Sequence, residues 1–188
     1  EANLLSNQLA NKLVYEGLEV GDRFAFLAKN CTEMAIMYYA ASKVGAVPVP
    51  LNYRLADQEW AYIINDSEAK LIIVKGNEYS DRINQISSEL KNVKKYISIS
   101  LDNSIEKFQD FYDWLSDSSN EKPTSKIHEN DDVYQMYTSG TTGHPKGAVL
   151  LQRNVAANIR QYLNSLTLPR PSRTLLVAPM YHAAAMIN

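Results

Sequence analysis

Short apolar runs alternate with helical patterns along the first part of the chain, and this alternation limits the possible folds most strongly. Residues 71–74 are all aliphatic, as expected of a strand buried on both faces of a sheet. Similar runs occur at residues 23–28 and near residues 96–100, with helical periodicity between the runs. The alternation predicts an α/β domain with a mostly parallel sheet flanked by helices and joined by right-handed crossovers.

Helices are predicted from apolar side chains three or four residues apart and from residues that favour helix ends. Asn30 and Glu33 predict the N-cap and its partner for a helix that ends at Gly45, and Asp57 predicts the cap of the next helix. Pro48 and Pro50 predict an extended segment that cannot pair on both sides. The other predicted helices cover or centre on residues 2–16, 83–90, 105–115 and 154–166, and a late apolar strand is predicted at 173–178.

The composition changes after residue 115. Between residues 116 and 132 the only aliphatic side chain is Ile127, which is typical of a solvated linker. We therefore predict three parts: an α/β subdomain over 1–115, a linker over 116–132, and a hairpin with the start of a second subdomain over 133–188.

The most distinctive motif is Tyr-Thr-Ser-Gly-Thr-Thr-Gly-His-Pro-Lys-Gly at residues 137–147, between predicted strands at 133–137 and 148–151. Glycines let backbone N–H groups turn towards a ligand, hydroxyl groups add neutral donors, and Lys146 adds a positive charge. The motif contains no carboxylate, so it predicts a phosphate-binding loop. Pro145 and Gly147 occupy positions where the generic kinase or GTPase loop has glycine and Ser or Thr. A hairpin without a ligand is the structural alternative.

Charge and composition exclude several classes of partner. The chain has 188 residues, 45% of them hydrophobic, and a net charge of −2, which argues against nucleic-acid or anionic-membrane binding. No apolar run approaches the roughly 18 residues of a membrane helix. The single cysteine, Cys31, allows no internal disulfide, fits a cytoplasmic location and is predicted to have a packing role. Both ends lack the signs of a natural terminus, so we expect a fragment of a longer protein.

The motif at residues 137–147 resembles the signature of the AMP-forming acyl and aryl adenylating enzymes, an aromatic residue followed by [ST][ST]G[ST]TGxPKG. That superfamily includes acyl-CoA synthetases, 4-coumarate-CoA ligases, luciferases and adenylation domains. Residues 20–25, 45–54 and 178–182 are similar to further characteristic stretches of these enzymes. The resemblance implies the N-terminal part of the acetyl-CoA-synthetase-like adenylating fold, roughly its first third.

The resemblance also implies roles for individual residues. Thr138 and Lys146 would act in catalysis, with Thr138 next to Mg²⁺, and Tyr181 and His182 would border the pocket of the acid substrate. Taken alone, His182 could equally be a core histidine, and His144 fills a variable position without an assigned role. The ATP phosphates would be bound by Thr138, Ser139, Gly140, Thr141, Thr142, Gly143 and Lys146.

The implied activity is that of an AMP-forming acid–thiol ligase that uses ATP, Mg²⁺ and coenzyme A. A fatty or aryl carboxylic acid would become an acyl-adenylate and then a thioester. An adenylation domain of a peptide synthetase and a non-catalytic nucleotide- or phosphate-binding module remain alternatives. Other functional parts of the family lie further along the chain, so the fragment alone is expected to be inactive. The acid, and whether the acceptor thiol belongs to coenzyme A or a carrier protein, stay open.

Apolar strand edges at residues 148–151 and 173–178 suggest a further property of the fragment. In the longer protein these edges would pack against later elements, and an uncovered edge recruits another chain. We therefore expect the isolated fragment to self-associate.

Overall fold

The computed structural model describes residues 1–99, 105, 107–138, 143–165, 173 and 175–183. These residues form a five-stranded parallel sheet, a separate two-stranded antiparallel hairpin and flanking helices. The helices are α1 (Ala2–Tyr15), α2 (Thr32–Val44), α3 (Asp57–Asp66), α4 (Asn77–Ile86), α5 (Phe111–Leu115) and α6 (Gln152–Ser165), with a 3₁₀ turn at Ser87–Glu89. The strands are β1 (Arg23–Leu27), β2 (Val47–Leu51), β3 (Leu71–Lys75), β4 (Lys95–Ile99), β5 (Phe108–Asp110), β6 (Asp132–Thr138) and β7 (Lys146–Leu151).

The strand order in the large sheet is β2-β1-β3-β4-β5, and every neighbouring pair is parallel. The chain leaves β1 towards β2 on one side and later returns to the other side of β1 with β3. Helices connect β1 to β2, β2 to β3 and β3 to β4. The predicted parallel α/β architecture is confirmed.

Two helical layers cover the two faces of this sheet. Phe24 and Phe26 point into the layer formed by α1, α2 and α5, which contains the buried Trp114. Ala25 points into the opposite layer of α3 and α4, which contains the buried Trp60. Since alternate residues of a strand face opposite sides, a strand with apolar residues throughout buries both faces.

The sheet ends at β2 because of its two prolines. The N–H of Val47 donates to the carbonyl of Asp22 at 2.8 Å, so Val47 faces β1 and the alternate residues Pro48 and Pro50 face outward. Proline has no N–H to donate, so this outer edge cannot form a regular ladder. β6 packs beside β2, yet within the described residues the two strands belong to separate sheets. The predicted edge position of this segment is confirmed.

Two predicted helix caps are wrong. The N-cap of α2 is Cys31, and the side chain of Asn30 bonds elsewhere. The N-cap of α3 is Ala56, with Asp57 as the first helical residue. In each case the predicted cap side chain has another partner: the Asp57 carboxylate accepts from Arg82 at 2.7 Å, and Asn30 binds a distant part of the chain.

Residues 105–115 do not form the single predicted helix. Within this stretch the structure shows a short strand, β5, followed by the five-residue helix α5. Asp110 separates them because its carboxylate accepts the N–H groups of Tyr112 and Asp113 and thereby starts the helix. Phe108 pairs with Tyr96 of β4, which completes the sheet edge.

The stretch predicted as a linker is held against α1. Asn11 donates to the carbonyls of Ser119 and Glu121 at 2.8 and 2.9 Å, and Asn7 donates to that of Asn120 at 2.9 Å. These amides fix a segment that has few apolar side chains of its own. The division at residues 115 and 132 stays a prediction.

The predicted strand at 173–178 is absent from its described residues, 173 and 175–178. Leu175 and Val177 are 84% and 80% exposed, so these apolar side chains pack against no layer of the described part of the chain. Leu163 at the end of α6 is exposed as well. Self-association of the fragment stays a prediction. No helix in the described part of the chain is long and apolar enough to cross a membrane.

Candidate functional site

The described residues of the motif, 137, 138 and 143–147, lie at the end of β6 and at and just before the start of β7. Thr138 is paired with Lys146 across the two strands, and Tyr137 is paired with Gly147. Thr138 and Lys146 are both exposed, and within the described residues Lys146 has no ion-pair partner. Gly143 is exposed and has φ of 112°. Ser139, Gly140, Thr141 and Thr142, predicted to bind phosphate, lie outside the described residues.

A cavity of about 330 Å³ lies beside this hairpin end. Thr138 and Pro145 line it from the two sides of the motif, and Tyr181 and His182 line it from the end of the described chain. The remaining wall is largely apolar and consists of Pro50, Asn52, Leu55, Glu59, Ile63, Met136, Tyr137 and Ala183. The structure therefore brings the predicted phosphate-binding and acid-binding segments to one cavity, although they are about 40 residues apart in the sequence.

The segment carrying Tyr181 and His182 is fixed at several points. Met180 is only 9% exposed, and its carbonyl accepts the hydroxyl of Tyr38 at 2.7 Å. The ring of Tyr181 packs edge-on against Tyr53 with 5.5 Å between centroids. The side chain of His182 is exposed in this chain, so the alternative of a core histidine is wrong.

Helix α3 anchors the end of β6. The hydroxyl of Tyr137 donates to the carboxylate of Asp66 at 2.6 Å and accepts from the amide of Gln135 at 3.0 Å. Burial, followed by the hydrogen bond to Asp66, raises the pKa of the Tyr137 hydroxyl above its usual range. Tyr137 therefore remains a neutral donor at the border of the cavity.

The same network extends to the main sheet and constrains Gly147. Arg23 donates to Gln135 at 3.0 Å and to Asp132 at 2.8 Å, which ties both residues of β6 to the start of β1. A Cβ atom at Gly147 would lie 2.6 Å from the Gln135 amide nitrogen and 2.9 Å from the Tyr137 ring. Glycine is needed at this motif position because the two side chains cross directly over its backbone.

A second contact with α3 involves a residue to which the sequence assigned no role. The ring of His144 stacks on Tyr62 with 4.7 Å between centroids and 19° between planes. Both sides of the phosphate motif thus rest on α3, one through Tyr137 and one through His144. Sequence reasoning missed this contact because nothing in the local pattern connects residues 62 and 144.

The function of Asn30 was also missed. Its amide nitrogen donates to the carbonyl of Ala178 at 2.8 Å, and its amide oxygen accepts the N–H of Met180 at 2.8 Å. One signal could have indicated such a role: Asn30 lies just beyond the carboxyl end of a parallel strand, where functional polar residues collect in α/β folds.

A partly buried ion pair joins the start of α2 to the end of β3 next to this segment. Glu33 accepts from Lys75 at 2.7 Å and from the Tyr112 hydroxyl at 3.0 Å. Burial alone would raise the pKa of Glu33, but the hydrogen bonds, led by that of Lys75, outweigh it and lower the pKa to about 2. Burial is the main reason that the pKa of the Cys31 thiol is raised, which fits the predicted packing role.

The described residues contain no group of three or more His, Cys, Asp or Glu side chains that could hold a metal ion. Near the cavity they offer the exposed Thr138 hydroxyl. Mg²⁺ commonly keeps several waters and binds through substrate phosphates with one or two protein ligands. One exposed hydroxyl is compatible with this mode of binding, and Mg²⁺ at Thr138 stays a prediction.

The family profile described as AMP-binding enzyme matches residues 1–188, and the chain belongs to this family. The match confirms the family resemblance.

Among curated relatives, the long-chain-fatty-acid–CoA ligase FadD13 of Mycobacterium tuberculosis is 33% identical over 188 residues, which cover 99% of this chain and 36% of that enzyme. The medium-chain fatty-acid–CoA ligase of Escherichia coli is 27% identical over 184 residues, or 96% of this chain and 32% of that enzyme. The chain thus spans about a third of the length of these relatives.

Solved structures show the same architecture. The inhibitor-bound N-terminal domain of FACL13 from Mycobacterium tuberculosis superposes with a TM-score of 0.87 at 32% identity, covering 99% of this chain and 45% of that one. The anthranilate CoA ligase AuaEII in complex with anthranoyl-AMP gives a TM-score of 0.90 at 25% identity, covering 98% of this chain and 36% of that one. These neighbours confirm the N-terminal adenylating fold.

Proposed function

We propose that this chain is the N-terminal part of an ATP-dependent carboxylic acid–CoA ligase that forms an acyl-adenylate and then a thioester. The observation that carries the proposal is that one cavity is lined both by Thr138 of the predicted phosphate motif and by Tyr181 and His182. A ligase of this kind must hold a nucleotide phosphate next to a carboxylate, and the cavity offers neighbouring walls for the two. Membership of the AMP-binding family supports the same conclusion.

In the first half-reaction, a carboxylate oxygen bonds to the α-phosphorus of ATP, and the bond from that phosphorus to pyrophosphate breaks. Negative charge grows on the departing pyrophosphate. Lys146 and Thr138 are paired across the two strands next to the cavity, and the ammonium group and the hydroxyl would stabilise this charge. Ser139, Gly140, Thr141, Thr142 and Gly143 would add hydroxyl and backbone donors. Bound Mg²⁺ would neutralise phosphate charge, with Thr138 among its ligands.

The acid would bind along the apolar part of the cavity, with its carboxylate near His182. Leu55, Ile63 and Met136 line this part, which suits an alkyl chain or an aromatic ring. The relatives named for long-chain and medium-chain fatty acids favour a fatty acid, whereas the neighbour with anthranoyl-AMP favours an aryl acid. We propose coenzyme A as the acceptor thiol and the cytoplasm as the location.

The largest catalytic effect is expected for Lys146→Ala in the intact protein. Removing one group that stabilises transition-state charge lowers rates by roughly 10²–10³-fold. We expect a loss of this size in acid-dependent pyrophosphate exchange, with a smaller change in apparent ATP affinity. Lys126→Ala, at another exposed lysine, is the matched control and should exchange at the normal rate.

An exchange rate for Lys146→Ala within about twofold of the unchanged enzyme would exclude the proposed role. If the unchanged protein binds ATP but gives no exchange with any acid, the non-catalytic module becomes the better interpretation.

His182→Ala tests the other wall of the cavity. Because His182 lines the cavity but lies outside the phosphate motif, the variant should change the relative kcat/KM values for acids of different length and leave ATP affinity unchanged. Competition between a medium-chain acid, a long-chain acid and an aryl acid would measure the profile. Weaker ATP binding with an unchanged acid profile would place His182 at the nucleotide instead.

A further inference from the structure

Residues 178–180 cover the carboxyl end of β1. This is the position where open α/β sheets with such a reversal of strand order commonly place a ligand. Here the chain itself takes that place: Asn30, which follows β1, binds Ala178 and Met180. The next residues along the chain, Tyr181 and His182, line the cavity.

The contact of Asn30 is bidentate. One amide group both donates to the Ala178 carbonyl and accepts the Met180 N–H, each at 2.8 Å. This pattern satisfies the backbone of an irregular segment as a neighbouring strand would. Because the two bonds hold both ends of residues 178–180, they fix the orientation of this segment relative to the loop that follows β1.

Tyr38 fixes the other side of the segment. Its hydroxyl donates to the Met180 carbonyl at 2.7 Å from within the core, where its ring packs edge-on against Phe26 and Tyr134 at 5.3 Å each. Tyr38 is held by these rings, whereas residues 175–177, which directly precede Ala178 in the chain, are exposed. Asn30 therefore supplies the contact that prevents Ala178 from following those exposed residues away from the sheet.

We propose that Asn30 is a positioning residue for acid binding: by holding Ala178 and Met180 it places Tyr181 and His182 against the cavity. Asn30 does not line the cavity and acts only through this segment. The inference rests on the proposed function for the identity of the ligand. The conclusion that Asn30 holds residues 178–180 rests on the described contacts alone.

Asn65 provides a matched control within the same chain. Its amide nitrogen donates to the Glu89 carbonyl at 3.0 Å, and its amide oxygen accepts the Lys91 N–H at 2.9 Å. This is the same bidentate pattern across two residues of a backbone segment. Asn65 and its partners do not line the cavity. Asn30→Ala and Asn65→Ala thus remove equivalent bonds from different places.

The experiment compares both variants in the intact protein. We expect similar small shifts of the urea midpoint, since each variant loses two hydrogen bonds to backbone. Only Asn30→Ala should raise the KM for the acid, by about tenfold, with ATP affinity within about twofold of normal. Hydrogen exchange without substrates should show faster exchange at residues 178–183 in Asn30→Ala only.

Asn30→Asp adds a readout that general destabilisation does not imitate. When ionised, the introduced carboxylate would still accept the N–H of Met180. It would have no proton to donate to the Ala178 carbonyl, so two acceptors would lie opposite each other. Once protonated, the carboxyl group could donate to that carbonyl and restore both bonds. We expect the acid KM of Asn30→Asp, divided by that of the unchanged enzyme at the same pH, to decrease as the pH is lowered from 7 towards about 4.

Faster exchange at residues 178–183 in Asn30→Ala without a change in the acid KM would overturn the positioning role. Equal changes of the acid KM in Asn30→Ala and Asn65→Ala would mean that Asn30 affects acid binding only through the overall stability of the fold. Failure of the unchanged protein to catalyse acid-dependent exchange contradicts the proposed function and any role in acid binding. In that case hydrogen exchange still decides whether Asn30 holds the segment.

Discussion

The parallel sheet and the segments around the cavity are held together in different ways. The central strands β1 and β3 bury apolar side chains on both faces. The hairpin and residues 178–182 also bury Val133, Tyr134 and Met180 in this core. Their ends at the cavity are placed in addition by directional contacts, such as Tyr137 with Asp66 and Asn30 with Met180. Apolar burial is not directional and produces a rigid scaffold, whereas hydrogen bonds are directional and set the position of individual functional groups.

The two kinds of contact also differ in size. Removing a large buried apolar side chain costs about 3–5 kcal/mol, whereas a typical hydrogen bond contributes a net ~0.5–1.5 kcal/mol. The scaffold should therefore survive the loss of any one contact at the site. Three substitutions test this contrast, beginning with the largest expected effect.

Phe26→Ala tests whether lost packing on the sheet also loosens the segment at the cavity. Phe26 is fully buried and packs against Tyr38, so we expect the free energy of unfolding to fall by about 3–5 kcal/mol. Urea denaturation measures the loss. Because Tyr38 holds Met180, hydrogen exchange should also rise at residues 178–183.

Phe24→Ala is the control, since Phe24 is equally buried but has no ring contact with Tyr38 in the described chain. It should lose similar stability with less effect on residues 178–183. Identical exchange in the two variants would show that Phe26 influences the site only through overall stability.

Gly147→Ala places a methyl group against the polar network of the hairpin. The new Cβ would lie 2.6 Å from the Gln135 amide nitrogen, so Gln135 and Tyr137 must move. Overpacking of this kind costs about 1–3 kcal/mol. We expect that loss in urea denaturation, and faster hydrogen exchange along β6.

Ala148→Val, at the exposed next residue of β7, should leave both measurements nearly unchanged. If Gly147→Ala is as stable as the unchanged chain, the hairpin adapts more easily than its contacts suggest.

Glu33→Gln should have the smallest effect and a distinct pH dependence. Because the folded-state pKa is lowered to about 2, the stabilising contribution of Glu33 is present above the unfolded-state pKa of about 4.3 and is lost as pH falls towards 2. With Lys75 partly exposed, we expect a loss of about 1 kcal/mol at pH 7.

Urea midpoints of the Glu33→Gln variant and the unchanged chain should converge between about pH 4 and pH 2, roughly the interval of the two pKa values. Asp81→Asn, at an exposed carboxylate without an ion pair in the described chain, is the control and should show no such convergence. A constant difference across this range would mean that Glu33 acts through packing.

The sequence predicted those parts that depend on local apolar pattern. Residues 71–74 indicated a central buried strand, and Pro48 and Pro50 indicated a sheet edge, because these effects follow from neighbouring residues alone. The position of β5 was missed, since a three-residue strand is too short to show periodicity.

The site was only partly predictable for a related reason. The motif pointed to Thr138 and Lys146, and its likeness to a family pointed to Tyr181 and His182. Thr138, Tyr181 and His182 line one cavity, and the roles of all four residues stay predictions. Asn30 was assigned to the nearest helix instead, because local capping rules cannot detect a partner about 150 residues away.

The two tryptophans of the chain lie on opposite faces of the sheet, and this gives the molecule a built-in optical probe. Trp60 is fully buried, and its indole N–H donates at 2.9 Å to the carbonyl of Asn52, a residue of the cavity wall. Trp114 donates to Glu16 in the other layer. Replacing Trp114 with phenylalanine would leave Trp60 as the single tryptophan of this chain, and its fluorescence, excited selectively over that of the tyrosines, would follow filling of the cavity without any label.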